Sequence, residues 1–279
     1  MKTLLSIALL CIASVLFAQE EYTTDYKVQY ELTYHADSLN LDASQSEFLY
    51  LFSGSKQSVY TNHNIAFKEE IEKNMKLQKA SGQGYVDWNK AGGQDTNFED
   101  TYYKNLEENK VYVSREMLEK QYGYLEPNIP IKWNLTEDSK EFLGYTVQKA
   151  TTNFAGRSYI AWFTLEIPLN DGPYIFYGLP GLIVELYDEK KHYHFKMQSI
   201  EKLEKSKVWI IPEYNKVSKE EFRKLVIKQI DAEESEFLRG ISEGWAMMLD
   251  DNENVLSESE VRRHYRKQKE RKNNPIELE

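Results

Sequence analysis

The most informative stretch of the sequence is Gly178-Leu179-Pro180-Gly181-Leu182-Ile183, which continues directly into residues 184–187, apolar except for Glu185. Pro180 fixes φ at the value needed for the second position of a turn, and Gly181 can supply the positive φ that a type II turn needs at its third position. The apolar run that follows predicts a buried strand. The hexapeptide contains no nucleophile, base or metal ligand, so it predicts local structure and no chemistry.

Short strand-like runs follow one another on both sides of this turn, and clusters of Gly, Pro and Asp separate them. The runs around the turn are residues 144–152, 157–165, 174–177, 182–187 and 192–200. Similar runs nearer the N-terminus are residues 101–106, 110–114, 121–125 and 131–135. Consecutive strands at this spacing predict one curved antiparallel sheet.

The most regular strand covers residues 26–36, where Tyr and apolar residues at even positions alternate with polar residues at odd positions. This alternation is typical of a strand with one buried and one solvated face. Residues 48–53 and 56–61 add two strands that are joined at Gly54-Ser55. We therefore expect the first three strands to form a meander.

Two stretches have helical periodicity. Residues 64–80 carry a narrow apolar stripe, and residues 218–238 begin with Ser218 as N-cap and Glu221 three residues later. Residues 81–101 are rich in Gly and predict a loop or lid whose order the sequence leaves open. The basic run 262–272 is compatible with a short surface helix, although a solvated terminal segment is the preferred interpretation.

The predicted fold class is α+β, mainly β. A single curved antiparallel sheet, partial barrel or sandwich-like, carries one inserted helix and a C-terminal helical segment. The β domain spans residues 19–250 with helices near 64–80 and 218–238, and residues 251–279 form a polar C-terminal tail. Closure of the sheet into a barrel and the oligomeric state are left open.

The N-terminus predicts export. Lys2 precedes an apolar run over residues 4–17, and Ala18 is a suitable cleavage residue, so residues 1–18 read as a signal peptide. The expected location is the periplasm or cell envelope, with a soluble mature chain. Cys11 lies within the apolar run and lacks the small residue before it that lipidation requires, so lipidation is disfavoured.

Composition excludes several classes of function. The formal net charge of -10 disfavours nucleic acid as a partner. Removal of the signal peptide removes the single cysteine, which excludes disulfides, thiol catalysis and cysteine-bound zinc from the mature chain. No nucleotide-binding, hydrolase or zinc-protease fingerprint occurs, so no cofactor is predicted. Paired carboxylates of a hydrolase have no fixed spacing and remain an alternative.

In addition to the hexapeptide, several motifs resemble those of the GLPGLI family, a group of exported Bacteroidota proteins without an established activity. They are Gly144-Tyr145-Thr146-Val147-Gln148-Lys149-Ala150, Phe154-Ala155-Gly156-Arg157, Ala161-Trp162-Phe163-Thr164, Glu166-Ile167-Pro168, Asp171-Gly172-Pro173 and Asn274-Pro275-Ile276-Glu277-Leu278. The family pattern often has cysteine at the position of Val147, so any thiol role proposed for the family does not carry over to this chain. The resemblance implies an envelope protein linked to outer-membrane transport of the TonB-dependent type.

Four charged residues in the family-like segment are candidates for contacts to a ligand or partner. Arg157 could hold a carboxylate bidentately, or it could pair with Glu166 or Asp171 to fix a hairpin. Glu185 interrupts an otherwise apolar strand and therefore requires a partner, for which Arg157 is one possibility. The structural interpretation is preferred for Arg157, Glu166 and Asp171, since Gly and Pro surround them.

His192 and His194 are a weak metal candidate, because residues i and i+2 of a strand project to one face. Lys196 and Gln198 share that parity, which favours the solvent side of an outer strand, and no metal site is predicted. Ser38, within Asp37-Ser38-Leu39, resembles a short O-glycosylation acceptor of exported Bacteroidota proteins.

These observations favour a non-catalytic binding or accessory protein over an enzyme. The expected partner is an outer-membrane protein or a bulky apolar ligand, because a sheet rich in aromatic residues can offer an apolar surface. The alternatives are a hydrolase that uses paired carboxylates and a carrier of lipid or lipoprotein. The sequence does not name the ligand or partner.

Overall fold

The structure is a computed structural model that describes residues 20–35, 44–82, 86–126, 131–248, 254–270 and 276. The predicted signal peptide, residues 1–18, and the predicted acceptor Ser38 lie outside these residues. The strands are β1 (Glu21–Tyr34), β2 (Gln45–Ser53), β3 (Gln57–Asn62), β4 (Thr101–Asn105), β5 (Lys110–Met117), β6 (Lys120–Glu126), β7 (Asn134–Phe142), β8 (Tyr145–Phe154), β9 (Arg157–Thr164), β10 (Leu182–Asp188), β11 (Tyr193–Ile210) and β12 (Asn215–Lys216). The helices are α1 (His63–Ala66), α2 (Lys68–Ala80), α3 (Lys219–Glu243) and α4 (Glu258–Glu270).

All twelve strands form one open, curved sheet in the order β12-β6-β5-β4-β3-β2-β1-β11-β10-β9-β8-β7. Neighbouring strands are antiparallel, apart from the short parallel pair of β12 and β6. The predicted mainly β fold class and the meander of β1, β2 and β3 are confirmed. β11 pairs with both β1 and β10, so the prediction that it is an outer strand is wrong.

The main core lies on one face of the sheet, which we call the inner face. Val28, Tyr30 and Leu32 of β1 are fully buried there, as their alternation predicts. Phe222 and Val226 of α3 also pack against this core. The opposite, outer face carries a smaller aromatic cluster that is covered in part by Ala66 of α1; its largest members are Tyr22, Tyr50, Phe52, Tyr103 and Trp209.

Residues 165–181 connect β9 to β10 and fill the inner face. The predicted strand at residues 174–177 does not form, because Tyr174 has a φ of 57° and the Phe176 N–H bonds back to the Pro173 carbonyl at 3.1 Å. Ile175 and Phe176 are instead buried in the core. The apolar character of this run therefore reflects packing of a compact connection and not an extended strand.

The turn assigned from the hexapeptide is also different. Gly178 has a φ of 91°, whereas Gly181 does not have positive φ, so the predicted type II turn with Gly181 at its third position is wrong. Gly181 is required for another reason. A Cβ at this position would lie 2.0 Å from the carbonyl oxygen of Thr164, closer than any side chain can approach backbone.

The C-terminal helices follow their sequence signals in part. The Ser218 hydroxyl accepts the Glu221 N–H at the start of α3, and Gly244 ends the helix with a φ of 79°. α4 packs on α3 through buried Val261 and Tyr265, so the segment predicted to be solvated forms a docked helix. No helix in the described part of the chain is long and apolar enough to cross a membrane.

Side-chain hydrogen bonds hold several of the described residues of the Gly-rich loop after α2. Gln78 and Asp87 are joined by two bonds of 2.7 and 3.0 Å, and Asn64 exchanges two bonds with Gln94. The Asn97 amide donates to the Tyr34 hydroxyl of β1 at 2.8 Å. These bonds tie the loop to α1, α2 and the sheet.

Candidate functional site

The first charged group of the family-like segment is buried on the inner face. Asp171 pairs with Lys104 of β4, and both side chains are 0 % exposed. The Ser53 hydroxyl donates to the other Asp171 oxygen at 2.8 Å, and the Lys104 ammonium also donates to the Gly172 carbonyl at 2.7 Å. Burial lowers the pKa of Lys104, while Asp171 acts in the opposite direction. This pair fixes residues 165–181 to the sheet.

Arg157 belongs to a second buried group. Its guanidinium lies 3.3 Å from the Asp188 carboxylate and 3.3 Å from Nδ1 of His192, and it stacks on the ring of Tyr193. Asp188 also accepts the Tyr193 N–H at 2.8 Å. The Arg157 side chain is only 4 % exposed, so it joins the ends of β9 and β10 and does not present a guanidinium to solvent.

The accessible group lies on the outer face, where β7, β9, β10 and β11 each contribute side chains. We define the Glu185 surface as Lys140, Trp162, Glu185, Tyr187 and His194. Glu185 is opposite Trp162 on β9 and opposite Lys196 on β11. The Lys140 and His194 side chains are 37 % and 24 % exposed, and Trp162 and Tyr187 are partly exposed.

Each member of the Glu185 surface is held by another member. Glu185 accepts hydrogen bonds from Lys140 and from Nε2 of His194, the latter at 2.8 Å. The Lys140 ammonium lies 4.3 Å from the centre of the Trp162 ring, a cation–π distance. The rings of Tyr187 and His194 meet edge to face at 5.2 Å. The surface is therefore preorganised, because Lys140 holds the Trp162 ring and His194 holds the Tyr187 ring in place.

Electrostatics keep Glu185 ionised. Burial alone would raise its pKa, but hydrogen bonds from His194 and Lys140, together with the positive charge of Lys140, hold the pKa at about 2, below the ordinary value of 4.5. A carboxylate with this pKa binds cations and hydrogen-bond donors. It does not serve as a proton donor near neutral pH.

This pKa predicts an acid sensitivity. Because the folded-state pKa is depressed, Glu185 stabilises the fold above about pH 4.5, and this contribution is lost as the pH falls towards 2. Between pH 5 and pH 2, the free energy of unfolding should fall by about 2 kcal/mol more in the wild type than in Glu185→Gln. Urea unfolding at both pH values measures the difference. The exposed control Glu107→Gln should behave as the wild type, and equal losses in all three proteins would contradict the assignment.

Other predicted residues are placed apart from this surface. Glu166 is exposed and accepts the Thr146 N–H at 2.8 Å. His192 is buried beside Arg157, whereas His194 contacts Glu185, so the two histidines have different partners and His192 does not lie on the solvent side. The described residues contain no group of three or more His, Cys, Asp or Glu that could hold a metal ion.

A cavity of about 450 Å³ lies away from the Glu185 surface, near the start of β1. Its lining residues are Glu20, Tyr112, Ile211, Pro212, Glu213 and Tyr214. Two carboxylates and two phenols in this lining make it polar. It is therefore unlike the apolar cavity beneath a helix that a lipid carrier would need.

Comparison with known proteins finds a match to one family model and similarity to the fold of two solved structures. Residues 154–185 match the family described as "Protein of unknown function (Porph_ging)". This match runs from the end of β8 to Glu185. It includes Asp171 of the first buried group and Arg157 of the second. The family has no established function, so the match assigns no activity. None of the curated proteins matches the chain.

Two solved structures share the fold. They are titled "Structure of PNGF-II" in the C2 and P21 space groups, and both are 14 % identical to this chain. The TM-scores are 0.51 and 0.52, and the alignments cover 75 % and 74 % of this chain. They cover 33 % and 34 % of those chains, so this protein spans about a third of their length. At this identity the similarity extends to the fold alone.

Sequence reasoning missed three residues that complete these groups. Lys104 and Lys140 lie 67 and 45 residues from their carboxylate partners, and Trp162 contacts Lys140 across the sheet. A carboxylate in an otherwise apolar strand indicated that Glu185 needs a positively charged partner, and the structure provides Lys140. The identity of that counter-charge depends on strand order, which one sequence does not contain.

Proposed function

We propose that the protein is an exported component of the cell envelope that binds a partner without catalysing a reaction, and that the Glu185 surface is its binding face. One observation carries this proposal: Trp162 and Tyr187 remain partly exposed on β9 and β10, which are paired on both sides, beside a carboxylate that its neighbours already neutralise. The aromatic rings can contribute binding energy without leaving a buried charge unpaired.

The signal-like N-terminus and the resemblance to the GLPGLI family support the envelope location and a link to outer-membrane transport of the TonB-dependent type. The partner is expected to present apolar groups. Lys140 is paired with Glu185 and Lys149 with Asp138, so exposed aromatic rings, and not a net charge, distinguish this part of the outer face.

A hydrolase is less favoured because it needs an acid that can donate a proton. Glu185 is ionised, and Asp171 is enclosed with Lys104 and Ser53. Burial raises the pKa of Glu47, as a proton donor would require. However, its oxygens accept hydrogen bonds from the neutral groups of Tyr34, Thr96 and Asn97, and none of these is a second carboxylate. A glycosidase-type pair requires a second carboxylate beside the first.

Crosslinking in cells followed by identification of the captured molecule tests the proposal. Trp162→Ala should reduce capture of the partner at least about tenfold, as expected for a central aromatic anchor. Trp245→Ala is the matched control, since Trp245 is 58 % exposed on a distant helix end, and it should leave capture unchanged. Circular dichroism and the melting temperature establish that both variants remain folded.

Each outcome of this experiment distinguishes one class. An outer-membrane transporter that is captured by the wild type and by Trp245→Ala, but not by Trp162→Ala, supports the binding proposal. Captured lipid or lipoprotein would support a carrier instead. A separate activity assay covers the hydrolase: a catalytic activity that one carboxylate substitution abolishes, while the protein remains folded, would contradict the proposal.

A further inference from the structure

The buried pair of Lys104 and Asp171 joins two parts of the chain that are 67 residues apart. Lys104 lies on β4, and Asp171 lies in the connection 165–181 on the inner face. Both side chains are fully buried, and the Lys104 ammonium contacts an oxygen of the Asp171 carboxyl group. An amine and a carboxyl group are thus held against each other in a site from which water is excluded.

We propose that Lys104 and Asp171 join in an intramolecular isopeptide bond that cross-links β4 to the connection. The Nζ of Lys104 forms a bond to Cγ of Asp171, and one carboxyl oxygen leaves as water. The ammonium first transfers a proton to the carboxylate, which gives a neutral amine and a neutral acid. The attacking nitrogen then loses a second proton to the departing oxygen, so atoms and charges balance without an added reagent.

The environment favours each step of this condensation. Burial lowers the pKa of Lys104, which brings the neutral amine, the nucleophile of the condensation, within reach. The structure also holds the two groups in contact, which removes the entropic cost of bringing reactants together. The product is a neutral amide, so the cross-link removes two buried charges whose desolvation is costly.

Two hydrogen-bond donors activate the carboxyl group. The Ser53 hydroxyl donates to Oδ2 of Asp171 at 2.8 Å, and the Gly172 N–H donates to Oδ1 at 2.8 Å. Donors fixed on both oxygens stabilise the negative charge that develops as nitrogen attacks Cγ. The Gly172 carbonyl accepts from Nζ at 2.7 Å and orients the amine. Ser53 is therefore a positioning residue for the condensation.

A buried hydroxyl lies next to the reacting pair, where the condensation releases water. Ser58 of β3 is the cross-strand neighbour of both Ser53 and Lys104. Its hydroxyl is buried and has no hydrogen-bond partner among the described residues. A free hydroxyl beside the reacting pair can bind the departing water, which would otherwise leave through an apolar core.

The cross-link would meet a need that the sequence creates. An exported mature chain without cysteine cannot form the disulfides that commonly strengthen proteins outside the cytoplasm. An amide between β4 and the connection closes a long loop in the unfolded chain, as a disulfide would, and reducing agents do not cleave it.

Peptide mapping of the purified full-length protein after denaturation tests the proposal directly. The expected result is a branched tryptic peptide that contains both Lys104 and Asp171 and whose mass is lower by one water molecule than the sum of its two parts. Trypsin should also fail to cleave after Lys104. Recovery of the two peptides unlinked, with cleavage after Lys104, would overturn the proposal even if every variant failed to fold.

Three variants control this measurement. Lys104→Met should abolish the branched peptide, whereas Lys56→Met, at an exposed turn lysine, should leave it unchanged. Ser53→Ala keeps both reacting groups and should reduce the linked fraction after a fixed folding time. A branched peptide that persists in Lys104→Met would show that another lysine is involved and would contradict the assignment.

Discussion

Replacing Asp171 with alanine is expected to destabilise the protein by about 3–5 kcal/mol, because the substitution leaves the Lys104 ammonium buried without a counter-charge. Both side chains are fully buried, and Asp171 also accepts hydrogen bonds from Ser53 and Gly172. The connection 165–181 should detach from the inner face as a result. Equilibrium urea unfolding of wild type and Asp171→Ala measures the loss.

The same experiment has two internal controls. The double variant Lys104→Met with Asp171→Ala removes both charges and should recover part of the loss. Glu220→Ala breaks an exposed helical ion pair with Lys224 and should change stability little. A loss in Asp171→Ala no larger than that in Glu220→Ala would show that the buried pair does not anchor the connection.

Replacing Gly181 with alanine is expected to cost about 3 kcal/mol or more, and valine should cost more than alanine. The added Cβ would lie 2.0 Å from the Thr164 carbonyl oxygen and 2.7 Å from its carbonyl carbon. Both contacts are to backbone, so the β9 end and the connection would have to move apart. Thermal and urea unfolding measure the cost.

Gly178→Ala is the matched control in the same hexapeptide. Gly178 has a φ of 91° and open space around the position of a Cβ, so alanine should cost only about 1 kcal/mol through backbone strain. The close-approach explanation for Gly181 predicts a clearly larger loss at position 181 than at 178. A larger loss at position 178 than at position 181 would contradict the steric explanation for Gly181. It would show instead that positive φ at Gly178 is the stronger requirement for glycine in the hexapeptide.

The sequence predicted what depends on local patterns. The alternation over β1 identified Val28, Tyr30 and Leu32 as core residues, and Ser218 marked the start of α3. The hexapeptide was more ambiguous. A glycine is required either where φ is positive or where another backbone segment lies too close for a Cβ, and only the position of Thr164 shows that the second reason applies to Gly181. The apolar run at 174–177 looked like a strand for a similar reason, since burial in a compact connection requires the same residue types.

The candidate site depends on pairings that a single sequence does not contain. Glu185 visibly lacked a partner, but its partners Lys140 and His194 come from strands on both sides of β10. Arg157 was expected near Glu166 or Asp171, yet register places it beside Asp188. Lys104 lies in a strand of aromatic and polar residues and gave no sign of burial. In each case the order of strands in the sheet decides which charges meet.

The most direct test of the binding proposal is photo-crosslinking in cells from two single positions. A photoreactive phenylalanine analogue replaces Tyr187 on the Glu185 surface in one protein and Ile227, which is 37 % exposed on α3, in the other. We expect that one defined envelope protein is captured from position 187 and not from position 227. Capture of that protein from position 227 alone would contradict the binding proposal.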